Sequence, residues 1–212
     1  MPDTALPRSP ALLDAAGAAA LVASYAPVCK GAQLKDIGRI DVHMGRFIAL
    51  SPLCLVATAD AAGKQDVTPR GDPPGGFKVL DEQTIALADR PGNNRLDTLK
   101  NLLENPEIAL IFLLPGVSDT VRVAGTARLS VDPELLASME EFGKLPRAVL
   151  SIGVHEAYFH CGKALMRARL WSPDTQVERA IFPSISQVVY DQTKLGEPET
   201  QAVVEERNKT QL

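Results

Sequence analysis

The spacing of apolar residues changes character near residue 52, and the expected secondary structure changes with it. Before that point the period is helical. Leu12, Leu13, Ala16, Ala19, Ala20 and Ala23 form one stripe, spaced three and four apart, that stops ahead of Pro27. Ile37, Ile40, Met44, Phe47 and Ile48 form a second, predicting a helix from Asp36 to Leu50 that Pro52 ends. Beyond it the apolar runs shorten and are broken by Gly, Pro and Asp. "LCLVATA", "DVTPRG", "FKVLD" and "TIALAD" read as strands joined by hairpin-length connections.

Leu96, Leu99, Leu102 and Leu103 interrupt the strands with a short helix, entered through "DRPGNNR". Glu107 to Leu114 is apolar on both faces, which predicts a strand buried on both sides or a central one. "TVRVAGTARLS" alternates, with Val121 and Val123 on one face and Arg122 and Ala124 on the other; Gly125 within it marks a bulge or a close backbone approach. "DPELLASMEEFG" carries helix signals, Asp132 as cap, Pro133 in the first turn and Gly143 at the end. "VLSIGVHEAYFHC" is a long strand, "KALMRARLW" a short basic helix, and the segment after Tyr190 a polar, Glu-rich tail expected to be loose at its end.

Short strands at close spacing favour antiparallel pairing over βαβ units, and closure into a small barrel removes their exposed edges. The expected fold is therefore mainly β: an antiparallel barrel, roughly Pro52 to His160, with flanking helices. The expected organisation is a helical segment, 1–50, packed on a barrel domain, 51–190, and a polar tail, 191–212.

Composition narrows the function. At 212 residues and 45% apolar content the chain is long enough to bury a core, and a net charge of −4 disfavours a nucleic-acid or anionic-membrane surface. The three cysteines, Cys29, Cys54 and Cys161, include no CxxC pair, which argues for reduced thiols and against a zinc or disulfide framework. No basic-then-apolar leader and no apolar run of spanning length is present, so a cytoplasmic protein is expected.

Against that acidic background the arginines stand out. Asn93 or Asn94 is placed to cap the helix that follows, but Arg90 and Arg95 flank a helix N-terminus, where the dipole disfavours cations unless an anion sits between them. With Gly92 and the exposed amides they make a candidate phosphate cradle. Thr68 and Arg70 share a strand face; the plain reading of Arg70 is a turn residue paired with Asp72. Arg122 reads as a solvent-face residue whose stem covers apolar surface. "YFHCGKALMRARLW" gathers His160, Cys161, Lys163, Arg167, Arg169 and Trp171, a basic flap over an anionic ligand or a solvated helix face. His155 and His160 fall on opposite strand faces, as do His160 and Cys161, so neither a metal site nor a Cys–His nucleophile is expected. The scarcity of acid–base candidates leaves the catalytic residues unknown and favours a cofactor that brings its own chemistry.

"SPLCLVATADAAGKQDVTPRG", "TIALADRPGNNRLDTLKNLLENPEIALIFLLPG" and "TVRVAGTARLS", in that order, resemble the FMN-binding split-barrel family typified by pyridoxamine 5'-phosphate oxidase, from about Ile48 to Trp171. The "NP" before a buried strand, followed by an "RVxG" strand, is the most specific part. The resemblance implies an antiparallel Greek-key split β-barrel and a homodimer with two FMN at its interface. It implies a phosphate grip from Arg70 and from Asn93, Asn94 and Arg95, with Thr68 and Arg90 beside it. Thr120 then stands where the family places a glutamine. His160, Lys163, Arg167 and Arg169 fall on the flavin-ring or substrate side. The family's "RLHDR"-type substrate signature is replaced by "ALMRARLWSP", so the likeness does not extend to pyridoxamine phosphate as substrate. The implied function is FMN-dependent oxidation or reduction of a small molecule through the flavin N5. The alternatives are a non-catalytic flavin- or haem-binding carrier or sensor, or an F420-dependent reductase.

Overall fold

The computed structural model describes residues 12–211. Its contacts divide the chain between Lys35 and Asp36 into two units. In the first, helix α1 (Ala15–Ser24) begins where the Asp14 carboxylate accepts the Gly17 amide at 2.7 Å, followed by the short helix α2 (Lys30–Leu34). No α1 residue is buried.

The second unit opens with Asp36, whose carboxylate accepts the amides of Gly38 and Ala157 at 3.1 and 3.0 Å. That turn corrects the helix expected from Asp36. Gly38 sits at φ +63°, a left-handed conformation that glycine adopts without strain, and helix α3 starts only at Val42 (Val42–Leu50). Asp41 caps it, accepting from Met44 N at 2.8 Å, and Met44, Phe47 and Ile48 are buried.

Seven strands follow: β1 (Leu53–Ala59), β2 (Gln65–Gly71), β3 (Lys78–Asp81), β4 (Thr84–Ala88), β5 (Glu107–Leu113), β6 (Thr120–Ser130) and β7 (Val149–His160). They form one sheet in the order β2-β1-β5-β6-β7-β4-β3, every neighbouring pair antiparallel. The β1–β2 and β3–β4 hairpins hold opposite edges. The chain between β4 and β5, which carries helix α4 (Asp97–Glu104), crosses back to lay β5 beside β1. This is the expected split β-barrel with flanking helices. β5 is central as expected, but only one of its faces is buried: Ile108, Leu110 and Phe112 point in, and Ile111 points out.

Register aligns Arg70, Cys54, Phe112, Val121 and Phe159 in one inward row across β2, β1, β5, β6 and β7. Ile85 and Leu87 of β4 join Cys54 and Val56 of β1 in one apolar cluster, and the rings of Phe77 and Phe112 meet edge-on at 5.5 Å. The sheet therefore curls until its two ends share a core, while β2 and β3 remain unpaired edges. Curvature is locked at Gly125, where the β6–β7 register shifts. A Cβ there would stand 1.9 Å from the Gly153 carbonyl oxygen, so the close approach predicted from the lone strand glycine is real.

Helix α5 (Pro133–Ser138) takes the expected Asp132 cap but stops five residues short of Gly143. After helix α6 (Lys163–Ala168) the chain forms α7 (Ile185–Thr193) and α8 (Gln201–Gln211). The first part of the tail is anchored: Val204 is buried, the Ser184 hydroxyl donates to the Glu199 carbonyl at 2.7 Å, and the Arg179 guanidinium bonds the Phe182 carbonyl and the Gln201 side chain. Among the described residues no helix is long and apolar enough to cross a membrane.

Candidate functional site

Along edge strand β2, alternation turns Asp66, Thr68 and Arg70 inward and leaves Gln65, Val67 and Pro69 exposed. Segment 89–98, which leads from β4 into the first turn of α4, is tied to this face at two points. At one end Arg70 Nη1 donates to Asp89 at 2.9 Å; at the other the Thr98 hydroxyl donates to Asp66 at 3.2 Å. A further ion pair, Arg90 to Asp72 at 2.8 Å, runs the opposite way between the same two segments. Residues 90–97 thus arch over the strand beside Thr68, at the split of the barrel.

These pairings correct two readings. Arg70 is not paired with its neighbour Asp72, which instead takes Arg90. Nor does either asparagine cap α4. The cap position is Leu96, which has no side-chain acceptor, and Asn93 Oδ1 accepts the Arg95 amide at 3.1 Å one step earlier. Asn94 and Leu96 both adopt left-handed conformations, φ 57° and 60°. Asparagine tolerates this; for leucine it costs on the order of 1 kcal/mol, the sort of strain found where a loop's shape serves a site.

The arginines therefore have carboxylate partners within the protein. Arg95, largely exposed, donates to Asp97 at 2.7 Å, and this bond holds the Asp97 carboxyl below the usual carboxylate range. One donor is left over. Arg70 Nε is buried and without a hydrogen-bond partner, and the first amides of α4 lack a side-chain cap. A buried unsatisfied donor costs about 1–3 kcal/mol, so an acceptor delivered here recovers that cost. Unfilled donors on Arg70 and α4, with the Thr68 hydroxyl between the two anchors, suit the oxygen shell of a phosphate. Asp66, Asp89 and Thr98 escaped the sequence reading, and Asp72 was assigned to the wrong arginine. Their only sequence signal is the reciprocal order Arg70-Gly71-Asp72 and Asp89-Arg90.

The other candidates lie elsewhere. Thr120 is buried at the start of β6 on the outward face, three strands from Arg70, or about 14 Å along the sheet. It is in register with exposed His160, the last residue of β7. Tyr158 lies next along that outward row, with the Arg122 guanidinium 5.4 Å from its ring centre. Lys163 and Arg167 are exposed on α6, the expected basic helix, while Arg169 pairs with Asp174 at 2.5 Å. The segment is pinned back on the β5–β6 loop: Gly162 N donates to Asp119 at 3.0 Å and Trp171 Nε1 to the Val117 carbonyl at 2.8 Å. Cys54, beside Arg70 in the inward row, is fully buried, and desolvation pushes its thiol far above the usual range, so it is no nucleophile.

No curated protein sequence matches the chain. Among solved structures it is similar to HupZ of Group A Streptococcus (22% identity over 57% of this chain and 99% of that one, TM-score 0.46). It is also similar to general stress protein 26 of Bacillus anthracis (14%, 53% and 87%, TM-score 0.42) and to an F420 reductase (17%, 53% and 93%, TM-score 0.38). Residues 40–161, more than half of the chain, match the sequence profile of the family described as pyridoxamine 5'-phosphate oxidase, whose members generally bind a flavin. The chain belongs to that family.

Proposed function

We propose that this protein is an FMN-binding oxidoreductase acting on a small molecule. The observation that carries the reading is the buried, unpartnered Nε of Arg70, on the guanidinium that ties β2 to Asp89 at the start of the arch. Arg70, the Thr68 hydroxyl and the amides entering α4 would hold the phosphate. Arg90 acts through Asp72, keeping the arch against β2, and exposed Arg95 adds a screened charge at the rim. Bound flavin supplies hydride exchange at its N5, so the protein's own task is placement, burial and hydrogen bonding.

In this reading the cofactor unit is residues 51–190, flanked by the helical segment 1–50 and the tail 191–212. The working form is a cytoplasmic homodimer with two FMN at its interface. A second subunit brings the outward face of β6 and β7, with Thr120 and His160, and α6, with Lys163, Arg167 and the nearby Arg169, to the ring and substrate side. The test is the absorbance spectrum of the purified protein and its titration with FMN. Retained or added FMN should bind with one equivalent per chain, and Arg70→Ala should weaken it by about 1.5–3 kcal/mol. Protein that stays colourless and takes up no FMN would end the proposal. Anaerobic reduction by NADH or NADPH followed by reoxidation in air separates an enzyme from a carrier.

A further inference from the structure

Helix α3 presents a second surface besides the one it buries. Met44 and Ile48 enter the core, but His43, Arg46, Phe47 and Leu50 recur at three, four and seven residues and so share the adjoining stripe. That stripe forms one wall of an open groove of about 260 Å³, whose other wall is Leu114, after β5, and Phe159, on the inward row of β7. Phe47 and Phe159 meet edge-on at 5.6 Å across its floor. Leu50 and Phe159 remain 45% and 37% exposed, so the groove has apolar surface still to cover.

Its polar lining is one-sided. Among the described residues, Arg46 and His43 are the ionisable residues that line it, and no acidic residue does. Arg46 is exposed and, among the described residues, forms none of the ion pairs that occupy Arg39, Arg70, Arg90, Arg95, Arg169 and Arg207. A guanidinium at the rim of an apolar groove matches a carboxylate in charge and in its two-pronged geometry. The volume lies just under the range of drug-sized pockets, which limits the occupant to a short chain or a single ring.

We propose that this groove binds a small monocarboxylate with an apolar body. Its carboxylate lies on Arg46, with His43 beside it, and its hydrocarbon lies between Phe47, Leu50, Leu114 and Phe159. The site uses none of the residues assigned to the phosphate and stands whether or not the protein binds FMN.

The test is titration of the full-length protein, with and without added FMN, using hexanoate and benzoate, followed by calorimetry and by NMR of the ligand and of the His43 imidazole. Saturable binding is expected, with ligand-to-ring contacts at Phe47 and Phe159. Hexanamide and the Arg46→Gln variant should each lower affinity at least tenfold, and Arg46→Lys should restore part of it. Leu50→Ser, on the exposed wall, should weaken hexanoate while leaving the urea midpoint unchanged. Equal affinity for hexanoate and hexanamide, or no contact at Phe159, would overturn the proposal. So would a His43 signal that responds to protein concentration and not to carboxylate, which would give the groove to a second copy of the chain.

Discussion

Replacing Asp89 by Asn separates two roles of the arginines at the split, the observed one in the fold and the proposed one toward an anion. Arg70 and Asp89 are 2.9 Å apart with side chains only 18% and 13% exposed, so their attraction is weakly screened. A hydrogen bond to a charged group contributes about 1.5–3 kcal/mol. The amide keeps one acceptor and the same shape, so the expected loss is the lower end of that range, about 1.5 kcal/mol. For a domain of this size that is about 3–6 °C in Tm. Glu82→Gln is the control, because the Arg39–Glu82 pair is 53% and 66% exposed and worth at most about 1 kcal/mol. FMN affinity should move the other way. Removing the charge loosens the hold on the Arg70 guanidinium and takes away a charge that repels the phosphate, and a gain of about tenfold corresponds to 1.4 kcal/mol. Urea unfolding at constant slope reads the first effect and quenching of flavin fluorescence the second. A variant as stable as the control would show that the pair does not hold the split. One that loses FMN affinity would refute the competition between Asp89 and the phosphate.

Gly125→Ala places a methyl group 1.9 Å from a backbone oxygen that cannot move without breaking the β6–β7 register, and should cost about 3 kcal/mol or more in urea unfolding; a loss under 1 kcal/mol would mean the bulge is soft. Cys54 should resist a maleimide reagent until the protein unfolds, while exposed Cys29 reacts in the native state; equal labelling of the two by mass spectrometry would contradict the buried thiol. The Arg95 hydrogen bond depresses the Asp97 carboxyl, so its stabilisation is present above the ordinary carboxylate range and lost as pH falls through the lowered value. Arg95→Ala should move the Asp97 titration upward, as read by carbon NMR, and an unmoved midpoint would exclude the pair in solution.

Much of the fold was legible because it is written locally. The change from helical to two-residue periodicity marked the sheet, and Gly125 announced its own close contact. α4 was visible in its leucines and α6 in its basic run. The start of α3 was not, since the apolar stripe continues through Asp36 to Ile40. What ends the helix there is a carboxylate reaching the Ala157 amide, 121 residues away. α8 was hidden for another reason: among its described side chains the polar sequence buries only Val204, too faint a stripe to read.

The site divides along the same line. By itself the sequence determined that this chain folds into antiparallel β-structure, that arginines gather around a Gly-Asn-Asn turn, and that the order of its motifs is that of the pyridoxamine 5'-phosphate oxidase family. It could not determine what those arginines touch. Arg70 and Asp89 are 19 residues apart, Arg90 and Asp72 are 18, and each pair forms only because the sheet curls until its ends meet. Pairing at that distance is a property of the closed barrel and not of any segment. So only the tertiary structure decided that two ion pairs span the split, that one buried donor on Arg70 is left over, and that Thr120 stands on the opposite face.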